Sequence, residues 1–354
     1  MAYTTIDDPT AFFQAKKYVG TGGSQAYTFD GNSDLQADFL WFKSTDLSQE
    51  HWLADSVRGT TKYLESNSTN AEATSASGLS SFDSNGFTFG SDIDRINGDG
   101  HNYVGWGWKA GTSFTNDASG TGIGTIDSAG SVNTDAGFSI ISYTGNGSAG
   151  ATVAHGLGAV PGIIFIKNRT NGAENWLVYT NKSGGTKAIV LDTTTAEITN
   201  SSVWNNTNAS STVFTLGVND AVNQSSSPMI AYCFTDKQGY SKVGGKYVGN
   251  GNANGTFVYT GFKPAMVICK KSSASGTNWG IIDNKRANPF NEISAMLNPN
   301  SSGTEGANND CDFLSNGFKW RTNDGNSNAS ATYIYMAFAE NPFVTSTGVP
   351  ATAR

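Results

Sequence analysis

Four landmarks recur three times in the same order along the chain, and this periodicity constrains the fold more than any other property of the sequence. A Tyr-x-Gly-x-Gly opening stands at Tyr18, Tyr143 and Tyr247. An apolar run ending in Lys follows it, as Phe39-Leu-Trp-Phe-Lys43, Ile163-Ile-Phe-Ile-Lys167 and Met266-Val-Ile-Cys-Lys270. A Trp comes after each run, at Trp52, Trp176 and Trp279, and an aromatic closing run ends each copy, at Val104-Gly-Trp-Gly-Trp108, Ile230-Ala-Tyr-Cys-Phe234 and Ile334-Tyr-Met-Ala-Phe338. Equivalent landmarks lie 124 to 126 residues apart between the first two copies, and 103 or 104 between the second and third. Shorter matches fill the copies. Thr61-Lys62 through Glu72 parallels Thr186-Lys187 through Glu197, and Phe82-Asp-Ser-Asn-Gly-Phe87 parallels Phe313-Leu-Ser-Asn-Gly-Phe318.

The spacing divides the chain into an arm (1–17), three units (18–110, 141–236 and 245–343), an insertion (111–140) and a tail (344–354). The insertion is rich in Gly, Ser, Thr and Asp and reads as a long loop or an extra hairpin. Within a unit, bulky and small residues alternate along the closing run: Val104, Trp106 and Trp108 flank Gly105 and Gly107, while Ile230, Tyr232 and Phe234 flank Ala231 and Cys233. That is the period of a strand with one core-filling face and one face that admits a close neighbour. The runs ending in Lys are apolar throughout, as strands covered on both sides are. The Asn85-Gly86 and Asn316-Gly317 pairs, set between apolar residues, predict hairpins. The expected fold is all-β: three tandem β-sandwich-like units, jelly-roll or lectin-like, preceded by a short helix or arm. In that arm Asp7 or Asp8 is placed to cap, Pro9 to start a helix, and Lys16 and Lys17 to end it. Phe12 and Phe13, together with Phe343 at the end of the third unit, are expected to contact another chain or another unit rather than solvent.

Composition narrows the function. The net charge is −7 with no basic cluster, which gives nucleic acid no phosphate-binding surface. No apolar stretch is long enough to span a membrane, and the N-terminus lacks the pattern of a secretory signal. The three cysteines, Cys233, Cys269 and Cys311, are too few and too widely spaced for a disulfide framework or a zinc site. Cys233 and Cys269 lie in apolar runs and read as buried thiols.

The strings Asp7-Asp-Pro-Thr-Ala-Phe-Phe-Gln14, His155-Gly-Leu-Gly158, Thr256-Phe-Val-Tyr-Thr-Gly-Phe-Lys-Pro264, Tyr333-Ile-Tyr-Met-Ala-Phe-Ala-Glu-Asn-Pro-Phe343 and Gly348-Val-Pro-Ala-Thr-Ala-Arg354 span nearly the whole chain. With the Tyr-x-Gly-x-Gly openings, they resemble a family of repeat-containing virion or tail-fibre-like proteins of marine tailed bacteriophages. The resemblance implies a place on a virus particle and carries over no catalytic or binding residue.

Candidate chemistry is sparse. No G-x-S-x-G nucleophile string occurs, and His51, His101 and His155 lie in different segments of the repeat. His155 heads a Gly-rich turn and reads as a turn-capping or core residue. Asp55 with Arg58 matches Asp283 with Arg286, while the second unit offers Tyr179 and Lys182. An Asp held ionised by Arg is unsuited to be the acid of a glycosidase, so these pairs read as loop staples. Asp92-Ile-Asp-Arg-Ile-Asn-Gly-Asp-Gly-His101 looks like a calcium loop, but Ile96 and Asn97 occupy positions where an EF-hand needs a ligand and a glycine. Trp204, in a polar stretch, is the candidate for ligand contact, with burial as a counterpart of Phe82 and Phe313 as the alternative. The expectation is therefore a non-enzymatic virion-surface protein without cofactor or metal, made in the host cytoplasm. It would be a tail fibre or tip-like appendage for host-surface recognition or, alternatively, a capsid decoration or connector protein, with a glycan-degrading enzyme the least favoured reading. Its partners would be other virion proteins, further copies of itself with a trimer favoured, and possibly a host surface glycan; nucleic acid and membrane insertion are not expected.

Overall fold

A computed structural model describes residues 2–91, 94–286, 290–307 and 310–352. Its elements are almost all strands, paired antiparallel. Each unit builds a sheet on four strands in the same order, opening strand, closing strand, run strand, edge strand; in the second unit these four are the middle of an eight-stranded sheet. In the first unit these are Phe13–Val19, Asn102–Trp108, Phe39–Ser44 and Trp52–Asp55. In the second they are Phe138–Thr144, Pro228–Phe234, Ile163–Asn168 and Leu177–Thr180. In the third they are Ser241–Val248, Thr332–Pro342, Phe262–Lys271 and Trp279–Asp283. A smaller sheet covers the outer face of each. It has three strands in the first and third units, and two in the second, where a helical turn at Ser201–Trp204 replaces the third strand.

The alternation along the closing strands decides how the units meet. The small-residue face turns into its own sandwich. A Cβ added to Gly105 would come within 2.8 Å of the Phe42 ring, and one on Gly107 within 2.6 Å of Phe29, so in the first unit these rings pack down on the closing strand only because glycine is there. The bulky face turns the other way, into a core common to all three units. There Trp108, Phe234 and Phe338, equivalent residues of the three closing strands, touch one another pairwise, with ring centroids 6.3 Å apart for Trp108 and Phe234, 5.5 Å for Trp108 and Phe338, and 5.7 Å for Phe234 and Phe338. The run strands lie between the two cores, Phe39 and Trp41 facing the common one and Leu40 and Phe42 their own, which is why the runs are apolar throughout. The units are therefore not beads in tandem: they form a closed ring about an axis of quasi-threefold symmetry.

Main-chain hydrogen bonds repeat around the ring in one sense. Glu72 N donates to Arg169 O (2.8 Å), Glu197 N to Ser272 O (2.9 Å) and Glu305 N to Thr45 O (2.8 Å), joining the first unit to the second, the second to the third and the third to the first.

Several local expectations need correction. The arm is one 3-10 turn, Pro9–Ala11, with Asp8 as its N-cap; Phe13 already begins the opening strand, so Lys16 and Lys17 lie in a strand and not in a last helical turn. The insertion is the extra hairpin: Thr112–Asn116 and Ser128–Asn133 extend the second unit's sheet beyond its opening strand, which itself starts at Phe138. Strand register shifts one landmark. Phe42 pairs with Trp52, whereas Ile166 pairs with Leu177 and Cys269 with Gly280, so His51 and not Trp52 is the counterpart of Trp176 and Trp279. The hairpins at Asn85 and Asn316 exist, but the turns fall one residue earlier. There Gly86 and Gly317 are required because a Cβ would meet the carbonyl oxygens of Tyr27 at 2.0 Å and Val258 at 2.1 Å.

Candidate functional site

Buried ionisable side chains are the first place to look for chemistry, because burial perturbs them. They gather at the three junctions of the ring. At the first, Arg58 donates from Nε to Asp55 Oδ2 (2.5 Å), and Tyr232 of the second unit donates its hydroxyl to the same oxygen (2.7 Å). Glu72 accepts from Arg58 (3.3 Å) and, across the junction, from both ends of the Arg169 guanidinium (2.8 and 2.9 Å). Burial works against the Arg58 charge, but Asp55, Tyr232 and Glu72 outweigh it and hold the guanidinium above its usual pKa. The junction of the third unit with the first repeats this design. Arg286 binds Asp283 (2.7 Å) and Glu305 (2.8 Å), and Trp106 donates its indole N–H to Asp283 (3.0 Å).

The remaining junction shows why the second unit carries no such pair. The register places Thr180 and Ser183, not Tyr179 and Lys182, at the equivalent positions, with Thr180 Oγ1 donating to Ser183 Oγ (2.9 Å) and Ser183 bonded to Glu197. The residue equivalent to Tyr232 and Trp106 here is Met336, which has no proton to donate, so a buried carboxylate would go unsatisfied. The Asp-x-x-Arg pairs are loop staples, as expected, and through Tyr232, Trp106 and the Glu72–Arg169 pair they also bind unit to unit.

Lys43, Lys167 and Lys270 end the three run strands and are fully buried. Burial pushes each ammonium down to about 8. Such lysines are candidate nucleophiles elsewhere, but here each amine donates to backbone carbonyls: Lys43 to Ser44 and Leu47, Lys167 to Thr69 and Glu174, Lys270 to Thr194 and Thr277. Lys43 fastens the end of its own strand, whereas Thr69 and Thr194 belong to the preceding unit, so Lys167 and Lys270 too tie units together. His51 does the same: it accepts from the Trp41 indole N–H at Nδ1 (2.8 Å) and meets the Asn298 carbonyl at Nε2 (2.9 Å). His155 caps its turn as expected, accepting from Leu157 N (3.2 Å) and facing Ser210 O (3.2 Å). His101 lies near Asp46 at the surface.

The Tyr-x-Gly-x-Gly opening proves to be half of a clamp. Its Tyr hydroxyl donates to the carbonyl before a buried Asn: Tyr18 to Ile96 (2.8 Å), Tyr143 to Val222 (2.7 Å), Tyr247 to Ser327 (2.6 Å). The Asn then holds the glycine loop. Asn97, Asn223 and Asn328 each accept at Oδ1 from a loop amide, at Thr21, Asn146 and Asn250, and each donates back to a loop carbonyl. The first glycine of each loop leaves no room for a side chain, because a Cβ on Gly20, Gly145 or Gly249 would lie 2.2 to 2.3 Å from a carbonyl oxygen. Asn97 is thus an inward-facing structural residue of the calcium-like loop; Asp92 and Ile93 of that loop lie outside the described residues. Among the described residues no three His, Cys, Asp or Glu side chains group to hold a metal.

The candidate ligand residue Trp204 is 1% exposed and packs edge-on against Tyr179 in the second unit's core, so it presents no ring face to a ligand and takes the buried alternative. Phe13 stacks on Phe338 of the third unit (5.1 Å) and against Trp108 (5.0 Å), and Phe12 meets Tyr240 (5.8 Å). Phe343 meets Tyr3 (6.1 Å). Of the two expected outcomes for these three residues, contact within the chain is the one observed. The cysteines are free and buried, and burial raises the thiols of Cys233 and Cys269 to about 12, which keeps them unreactive. Tyr259, 57% exposed, and Phe257, 44%, project outward from one strand of the third unit.

Residues 8–342 match the family model described as "Domain of unknown function (DUF7483)", and the chain belongs to that family. No curated protein and no solved structure matches it. No helix among the described residues is long and apolar enough to cross a membrane.

Proposed function

We propose that the chain is a structural protein of a bacteriophage particle, a compact tip-like appendage on the virion surface that recognises the host. The observation that supports this reading most is the closed ring of three equivalent units about Trp108, Phe234 and Phe338. It gives one polypeptide the quasi-threefold symmetry expected of a fibre tip, with no need for three chains to meet first. The buried charges support it further, because they are spent on joining units and leave loops and outer sheets as the part available to a partner. The connector alternative drew on an arm that grips a neighbour. That arm is occupied within its own chain, where Tyr3 donates to Gly261 O (2.6 Å) and Thr4 to Gln238 O (2.7 Å), which favours the appendage.

In this reading the partners are other virion proteins and a host surface glycan, and any trimer of chains forms on the outside of the ring. Antibody labelling of intact particles tests it. Label at one vertex, in a few to a few tens of copies, is the expected result. Label spread over the shell in hundreds of copies would assign decoration instead, and absence from purified particles would overturn the virion assignment altogether.

A further inference from the structure

A groove of about 310 Å³ runs between the arm, the turn that links the second and third units, and the outer strand of the third unit. Its walls carry Tyr3, Asp236, Lys237, Gln238, Lys242 and Tyr259. This volume falls within the range of small-ligand sites, roughly 300–1,000 Å³. The Tyr3 and Tyr259 hydroxyls stand 3.5 Å apart at one end. Asp236 accepts from Val243 N (2.7 Å) and from Lys242 at the other. The side chains of Lys237 and Gln238 have no hydrogen-bond partner among the described residues.

The repeats supply a control for what the fold itself needs. The pairing of Val258 with Phe318 corresponds to Tyr27 with Phe87 and to Val153 with Phe214, so Phe257 and Tyr259 stand where the other units have Ala26 with Thr28 and Thr152 with Ala154. Two copies of the same strand are built with small residues, and only the third sets exposed aromatic rings there. Tyr259 is therefore not demanded by the sandwich, and its exposed ring adds little to the core.

We propose that this groove is a saccharide-binding subsite, in which Tyr259 stacks on the apolar face of a pyranose while Asp236, Lys237 and Gln238 bond its hydroxyls. Sugar hydroxyls donate and accept, and this wall offers both kinds of partner beside an aromatic face. An anionic ligand would meet the Asp236 carboxylate, a cationic one Lys237 and Lys242, and an apolar peptide would leave the Lys237 and Gln238 side chains unpaired. The site rests on the host-recognition reading and places it in the third unit.

Saturation-transfer NMR on the full chain, with millimolar methyl glycosides of glucose, galactose, mannose, N-acetylglucosamine and fucose, all neutral, tests it. At least one glycoside should bind, Tyr259→Ala should weaken that binding by about tenfold, and Tyr259→Phe should keep most of it. Because Tyr259 is exposed, both variants should melt with the wild type. Silence from all five glycosides, or equal binding by Tyr259→Ala, overturns the subsite. Adsorption of the labelled chain to host cells separates the two proposals. Adsorption that Tyr259→Ala retains sinks the groove but leaves the appendage standing. A chain that does not adsorb at all sinks host recognition, while the glycoside result still judges the groove.

Discussion

The imidazole of His51 sits between the Trp41 indole, which only donates, and the Asn298 carbonyl, which only accepts, so only the neutral Nε2–H form satisfies both. Burial, with Lys43 and Arg286 adding repulsion, pushes its pKa down to about 3, and burial pushes His155 to about 4. In the unfolded chain both titrate near 6.5, so below that pH the unfolded state takes up protons the folded state refuses, and stability falls as pH drops. Asp192, raised to about 6 by burial, runs the other way between about 6 and 3.8. Two histidines against Asp192 leave a loss on the order of 3 kcal/mol between pH 6.5 and 4.5, which Asp38, also raised by burial, reduces. Urea midpoints across that range should show it, and His51→Gln, whose amide also both donates and accepts, should flatten the curve; a wild-type midpoint that does not move would contradict the assignment. The junction staples make a second residue-level prediction. Arg58→Ser alone leaves Asp55 buried without its cation and should cost about 3–5 kcal/mol. Adding Asp55→Thr reproduces the Thr180 and Ser183 arrangement of the second unit and should recover much of that loss, so a double-mutant cycle with strictly additive costs would show that the two side chains do not act together.

At the scale of elements, the clamp of buried Asn and glycine loop is the unit's most repeated device. Asn328 donates to Asn250 Oδ1 and to the carbonyls of Asn252 and Thr322, each within 3.0 Å, and Tyr247 fastens the segment just before it. Asn328→Ala should therefore free the loop locally before it unfolds the unit. The amides of Asn250 and Gly251 should exchange faster by a factor of ten or more, about 1.4 kcal/mol, while those of the Phe262–Lys271 strand stay protected. Uniformly faster exchange across the third unit would mean that the clamp holds the sandwich rather than the loop. The loop half of this device was legible in the sequence because glycine and Tyr stand in a short fixed pattern. The Asn half was not, since its partner lies some eighty residues away and Asn is common in this chain. The signal existed all the same: Asn97, Asn223 and Asn328 recur at the period of the landmarks. The strands were legible for a plain reason, in that alternation reports which residues share a face. Alternation does not report which neighbour covers that face, so Trp106 and Trp108 were assigned to a core without any sign that the core belonged to all three units. Trp204 misled in the opposite sense, because polar neighbours in sequence say little about a residue that ends a helical turn capped by Asn200.

At the scale of the molecule, the common core changes what can be removed. Residues 1–17 look dispensable in sequence, but Phe13 is 1% exposed and Phe13–Val19 is an edge of the first sheet, so their deletion opens the core instead of trimming an arm. The same reasoning bears on the units themselves. Cut free, the second unit would keep its own core around Ile164, Phe214 and Trp204, yet would bare Phe138, Ile140, Phe165, Tyr232 and Phe234 to water. Five such side chains, at about 1.5–3 kcal/mol each, are comparable to the whole stability of a typical domain. A fragment covering residues 112–236 is therefore expected not to run as a folded monomer, but to associate through that face or precipitate. In the intact chain the same dependence couples the units. Each one loses its inner cover if a neighbour opens, and each junction also loses a main-chain bond and the side-chain ties across it. Unfolding should then be cooperative over all three units, with one transition in scanning calorimetry and the same midpoint by tryptophan fluorescence, which reports the common core through Trp41, Trp106, Trp108, Trp176 and Trp279. Three resolved transitions, or a soluble monomeric fragment that melts by itself, would show that the units are independent sandwiches that merely touch.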